Sequence, residues 1–292
     1  MANSETPPNP VDPAILYGEG DDNPLQPLLR AAEAGDTDAM VKLGALTHDA
    51  GALSESRRWF TSAAEAGDPQ GMFVLAGLCL MEDDDEDAGL DWLTKAAAAG
   101  HTGAMVNLGA FAAADGDFEQ AGGFWERAAE LGDGYAMTNL GTLASDNGDP
   151  DAAKNWWVRA AELGDTDAMT ALAGMAAEAG EPDVAKDWWH RAAQHGDPTA
   201  MYRLGSLAHE DGNAAETHRW WLAAAEHGNA SAMVNLGVLL QEGGRSAEAR
   251  ELWLEAAELG HPAAMSNLAA LADLEGDADT ARAWRDQASA AG

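Results

Sequence analysis

A single cysteine, Cys79, excludes an internal disulfide framework. Lysine is almost as scarce, with four against twelve arginines, a bias that fits either a GC-rich genome or a salty cytoplasm. Runs of Val, Ile and Tyr are missing while Ala and Gly are abundant, so the composition reads as all-helical. No stretch approaches the ~20 apolar residues that a membrane span needs. The first residues, MANSETPPNPVDP, have no basic start and no apolar run, so no signal peptide and a cytoplasmic location are expected. The motifs H-E-x-x-H, G-x-x-x-x-G-K-[ST] and G-x-S-x-G are absent, as are paired cysteines. No catalysis, cofactor or metal is therefore expected.

Basic residues are outnumbered. Fifty Asp and Glu face sixteen Lys and Arg, for a formal charge of −34. Such a surface repels phosphate backbones and argues against direct nucleic-acid binding. It suits a strongly solvated surface, or one that captures a basic protein as a nucleic-acid mimic. Apolar residues still make up 46%, enough for a sizeable core.

What is present is repetition. Met40, Met72, Met105, Met137, Met169, Met201, Met233 and Met265 are spaced by 32 residues, once by 33. A glycine column from Gly35 to Gly292 keeps the same step. This defines eight 32-residue units over residues 36–292, with one extra residue in the second, at MEDDDEDAG. The Pro-rich residues 1–23 are expected to be disordered, and residues 24–35 to form a capping helix equal to half a unit.

Each unit reads as two helices. In the fifth, Asp165 suits an N-cap, and Ala168, Met169, Leu172 and Met175 follow at helical spacing. That helix should end near EAGEP, and a second should run from about Pro182 to Gly196, where glycine permits the turn. Neighbouring large residues recur in the second helix. One column holds Trp59, Trp92, Phe124, Trp156, Trp188, Trp220, Leu252 and Trp284. The next holds Phe60, Leu93, Trp125, Trp157, Trp189, Trp221, Trp253 and Arg285. Adjacent helical positions point about 100° apart, so the pairs demand a wide buried arc. One column is expected to pack within its unit and the other between units. Arg285 departs from the pattern as a terminal repeat facing water should.

The phrases AAKNWWVRAAELGDTDAMTALAG, VAKDWWHRAAQHGDPTAMYRLG and AETHRWWLAAAEHGNASAMVNLG resemble the Sel1-like repeat of the tetratricopeptide superfamily. The resemblance spans about residues 25–292 and implies a right-handed α-solenoid acting as an adaptor or scaffold. Units of that family are usually longer, so the turn between the two helices is expected to be trimmed here. The resemblance also implies that the first helix of each unit lines a concave, partner-binding face. Two residues after each anchoring Met stand Lys42, Val74, Asn107, Asn139, Ala171, Arg203, Asn235 and Asn267. An asparagine ladder suits recognition of an extended backbone, since each amide donates and accepts. It equally suits bonds between neighbouring repeats. Thr138, Thr142, Tyr202, Ser206 and Val238 extend this face. Tyr202 and Arg203 read as a hot-spot pair or, for Tyr202, as an ordinary exposed aromatic. The expected partner is a protein or peptide; the sequence leaves the oligomeric state open, with a monomer favoured.

The remaining chemistry-bearing residues read as structural. His195 and His227 fall in the last turn of second helices, and His101 and His261 in the N-cap column. Cys79 falls on the core side of a first helix. The run Glu82–Asp87 fails the calcium-loop pattern, with Ala88 at the turn glycine, and reads as an acidic turn.

Overall fold

The computed structural model describes residues 25–81 and 85–291. The N-terminal segment expected to be disordered lies outside them, as do residues 82–84 of the acidic run. Among the described residues there are seventeen α-helices and no strand. The chain divides into two compact units, Met1–Gly148 and Asp149–Gly292. The first holds α1 (Gln26–Glu33), α2 (Thr37–Asp49), α3 (Leu53–Glu65), α4 (Pro69–Met81), α5 (Glu86–Ala98), α6 (Thr102–Ala114), α7 (Phe118–Glu130) and α8 (Gly134–Asp146). The second holds α9 (Pro150–Glu162), α10 (Thr166–Glu178), α11 (Pro182–Gln194), α12 (Pro198–Glu210), α13 (Ala214–Glu226), α14 (Ala230–Glu242), α15 (Ser246–Glu258), α16 (Pro262–Glu275) and α17 (Ala278–Ala291).

In the first unit α2 packs on α3, α4 on α5 and α6 on α7; each second helix then meets the next first helix. In the second unit the pairs are α10/α11, α12/α13, α14/α15 and α16/α17, with α9 against α10. This is the helix-turn-helix stacking of an α-solenoid. The boundary at Gly148 falls between the two helices of one sequence repeat, α8 and α9.

Local chemistry fixes the period. Fourteen of the helices are 13 residues long, and nearly all are joined by three residues. The link after α9 shows how. Gly164 adopts φ 91°. Its N–H donates to Ala161 O at 3.1 Å, and the N–H of Asp165 donates to Ala160 O at 3.2 Å. Orphan carbonyls are thus satisfied where only glycine turns without strain. Asp165 then caps α10, its carboxylate accepting from Ala168 N at 2.8 Å. Asp36, Asp68, Asp85, Asp117, Asp133, Asp149, Asp197 and Asp277 cap other helices in the same way. Part of the negative charge is therefore structural, placed at helix N-termini where it is favourable. The turn inside a repeat is as short as the turn between repeats, as trimming implies.

The two large columns have different surroundings. The second column packs within its own repeat, on a first-helix glycine: Phe60 over Gly44, Trp125 over Gly109, Trp221 over Gly205 and Trp253 over Gly237. The indoles of Trp125 and Trp253 also donate to Val106 O at 3.2 Å and Val234 O at 3.1 Å. The first column faces the preceding second helix. Trp59 joins Ala32, Ala39, Met40, Leu43 and Ala63, a cluster that includes α1. Trp92 packs against Ala64, Leu75 and Cys79. Trp220 meets the ring of His190 at 5.5 Å. Cations cover its open side: Arg58 over Trp59, Lys95 over Trp92, Arg159 over Trp156, Arg191 over Trp188 and Arg219 over Trp220, at 4.1 to 4.9 Å. Arg285 is exposed and pairs with Asp273.

Candidate functional site

The first helices of the second unit present two adjoining clefts. The first, about 290 Å³, lies between α12 and α14 and is lined by Ser206, His209, Glu210, Trp221, Asn235, Val238, Leu239 and Glu242. The second, about 220 Å³, lies between α14 and α16 and is lined by Val238, Gln241, Glu242, Trp253, Asn267, Ala270, Leu271 and Leu274. Val238 and Glu242 belong to both. The clefts exist because the second-column tryptophans sink onto helix glycines, which lowers the surface between successive first helices. Leu274 stands 78% exposed at the end of the second cleft.

Trp221 differs from its repeat equivalents. It is 4% exposed, and its buried Nε1–H has no acceptor among the described residues. The carbonyl matching Val106 and Val234 is that of Tyr202, and it accepts from Ser206 Oγ at 3.0 Å. Tyr202 and Trp221 stack at 6.5 Å, and His209 tilts against Trp221 at 5.3 Å.

Of the residues read from the sequence as partner-binding, Ser206 and Asn235 line the first cleft and Asn267 the second. Asn235 Nδ2 also donates to Tyr202 OH at 3.4 Å, a bond between neighbouring repeats, so for this residue the inter-repeat reading of the asparagine ladder is realised. Tyr202 is half-buried rather than an ordinary exposed aromatic, whereas Arg203 is exposed. In the first unit Lys42 and Asn107 are exposed, and Thr138 and Asn139 are half-buried. Thr142 is exposed, and its hydroxyl donates to Thr138 O at 3.2 Å. Thr142 and Ser206 thus spend their hydroxyls on the turn before them.

Sequence reasoning missed His209, Glu210, Leu239, Gln241, Glu242, Leu271 and Leu274. Their signal was available: they follow the anchoring methionines by six to nine residues, on the same helices. The histidines behave as helix-end residues, with one shift of position. His195 and His227 are C-cap residues just beyond α11 and α13, not members of the last turn. His101 caps α6 by accepting from Ala104 N at 3.2 Å, while His261 makes no side-chain cap bond. Cys79 is a buried free thiol.

The Sel1 repeat model matches residues 37–68, 69–101, 134–165, 166–197 and 198–229. These segments cover more than half of the chain, which belongs to the Sel1 repeat family. Tetratricopeptide repeat models match 102–127, 229–260 and 262–287. No curated protein matches the sequence. Among solved structures, a Sel1 repeat protein from Oxalobacter formigenes is 24% identical, with 97% of this chain and 92% of that one covered and a TM-score of 0.67. The protective antigen c5321 of uropathogenic Escherichia coli, described as having an SLR fold, is 25% identical over 92% of this chain, with a TM-score of 0.66. This chain spans 64% of that antigen's length. Yeast Tom70 shares the fold at 14% identity, with 89% and 61% covered and a TM-score of 0.56. Repeats of this class generally mediate protein–protein interaction and are typically non-enzymatic. No described helix is long and apolar enough to cross a membrane.

Proposed function

We propose that this protein is an adaptor that holds a protein or peptide partner on the first-helix, concave face of its repeats, without chemistry of its own. The observation that supports this most is the pair of adjoining clefts on α12, α14 and α16. They combine apolar floors with the amides of Asn235, Gln241 and Asn267, the mixture a docked backbone and its side chains require. The aspartate caps account structurally for part of the acidity, which removes some of the need for a charge-driven role such as nucleic-acid mimicry.

The test is affinity capture from native lysate at low and at ~0.5 M salt, where the Debye length is only a few ångström. Wild type is compared with a cleft variant, Val238→Lys with Asn267→Ala. A partner retained in salt by wild type and lost by the variant is the expected result. A partner indifferent to the variant but lost in salt assigns the function to the acidic surface and contradicts the adaptor reading.

A further inference from the structure

The clefts carry an unbalanced charge pattern. Glu178, Glu210 and Glu242 hold the same place in successive repeats and are the last residues of α10, α12 and α14. A helix C-terminus already carries partial negative charge, so a carboxylate there is unfavourable. In α16 the strain is relieved within the chain, since Arg250 pairs with Glu275 and Arg285 with Asp273. Among the described residues Glu210 and Glu242, which rim the clefts, have no such partner. Arg203 is the only Lys or Arg in α10, α12, α14 or α16, and it lines neither cleft. Twelve of the sixteen basic residues lie on second helices instead, several of them over tryptophan.

From this charge complementarity we infer that the occupant of the two clefts is an extended basic–apolar segment of another protein. Two of its apolar side chains fill the successive clefts over Trp221 and Trp253, and a Lys or Arg beside them meets Glu210 and Glu242. The inference rests on the reading that this face is the docking surface, and it adds the partner's chemistry. Val238 and Glu242 line both clefts, so the two adjoin across α14, a helix roughly 10 Å in diameter. A polyproline-II segment advances roughly 9 Å per three-residue turn, so side chains i and i+3 enter adjacent clefts from one edge of the chain. Among the described residues no group of three or more His, Cys, Asp and Glu is placed to hold a metal ion, which favours a cationic side chain. The unpaired Nε1–H of Trp221, a residue that lines the first cleft, is a donor for a carbonyl of such a segment.

The test is selection of a phage-displayed random dodecapeptide library on the full chain, followed by titration of the selected peptides by fluorescence anisotropy. Three variants are compared with wild type, each checked for helical content: Glu210→Gln with Glu242→Gln, Val238→Lys, and Glu251→Gln with Glu255→Gln on the exposed side of α15. The expected selection is Lys- or Arg-containing peptides with apolar residues at i and i+3. Affinity should fall about tenfold in the cleft-glutamate variant and change less than about twofold in the α15 variant. Val238→Lys should abolish binding. Neutral or acidic peptides, lost with Val238→Lys but unmoved by the cleft glutamines, would overturn the basic partner and leave the docking face standing. Basic peptides weakened equally by both glutamine pairs would show diffuse charge attraction and also overturn it. Peptides indifferent to Val238→Lys would sink the docking face as well. If nothing is enriched, the inference is wrong, and the lysate capture decides the docking face separately.

Discussion

Trp221 lies over Gly205 so closely that a Cβ on residue 205 would sit 2.3 Å from the indole Cδ1. The same fit joins Gly237 to Trp253, where the distance would be 2.3 Å to Nε1. A missing side chain on the first helix thus makes room for the largest one on the second. The fifth repeat is the internal control. It has Ala173 where the other repeats with an aromatic second column have glycine, Ala173 is fully buried, and Trp189 is only half-buried.

Gly205→Ala and Gly237→Ala should therefore destabilise by about 1–2 kcal/mol, the cost of overpacking less the helix-propensity gain. Gly123 in α7 is exposed with nothing within 4 Å of its would-be Cβ. Gly123→Ala should stabilise by roughly 0.5–1 kcal/mol. Urea unfolding of the three variants measures both signs. A stabilising Gly205→Ala would mean that the indole has room to spare.

His101 supplies a pH dependence. Its Nδ1 accepts from Ala104 N, its Nε2 bonds Gln70 Oε1 at 3.0 Å, and its ring stacks on Phe73 at 4.3 Å. Burial lowers its pKa below the ordinary 6.5, outweighing the opposing pull of Asp68 and Asp133. The unfolded chain then binds more protons, so the contribution is complete above pH 6.5 and lost as pH falls through the lowered value. Protonation also removes the acceptor that caps α6. His101→Asn keeps a capping oxygen without titrating. The stability difference between wild type and this variant should shift against wild type as pH drops from 7.5 to 5, followed by thermal unfolding. A pH-independent difference would contradict the role.

Salt should raise stability. Twelve of the seventeen described helices end in Asp or Glu, against their own dipoles, within a chain of formal charge −34. Screening weakens both penalties. The unfolding midpoint should rise by several degrees between ~0.02 M and ~0.5 M NaCl, and less in Glu178→Gln with Glu210→Gln and Glu242→Gln. A midpoint that falls with salt would point to stabilising ion pairs, of which the structure has few.

Much of this architecture was legible in the sequence because it is written locally and repeatedly. A glycine at most helix ends, a capping residue beside it that is most often aspartate, and apolar residues at helical spacing define the elements without reference to distant parts. Which tryptophan column sinks was not legible, because that depends on the partner helix: Gly205 or Ala173 opposite an identical Trp-Trp pair gives two different burials. The fate of Ser206 and Thr142 was hidden for another reason. A hydroxyl on a helix can face a ligand or its own preceding turn, and one sequence does not choose between them. The clefts required both facts, since their floors are second-helix indoles and their walls are positions late in the first helices.

The claim that matters most is that the partner lies across α12, α14 and α16. Hydrogen–deuterium exchange of the chain with and without the captured partner tests it directly. The account predicts added protection concentrated in these first helices, around Ser206, Val238 and Leu271. Protection confined to α11, α13 and α15, with the first helices unchanged, would contradict it.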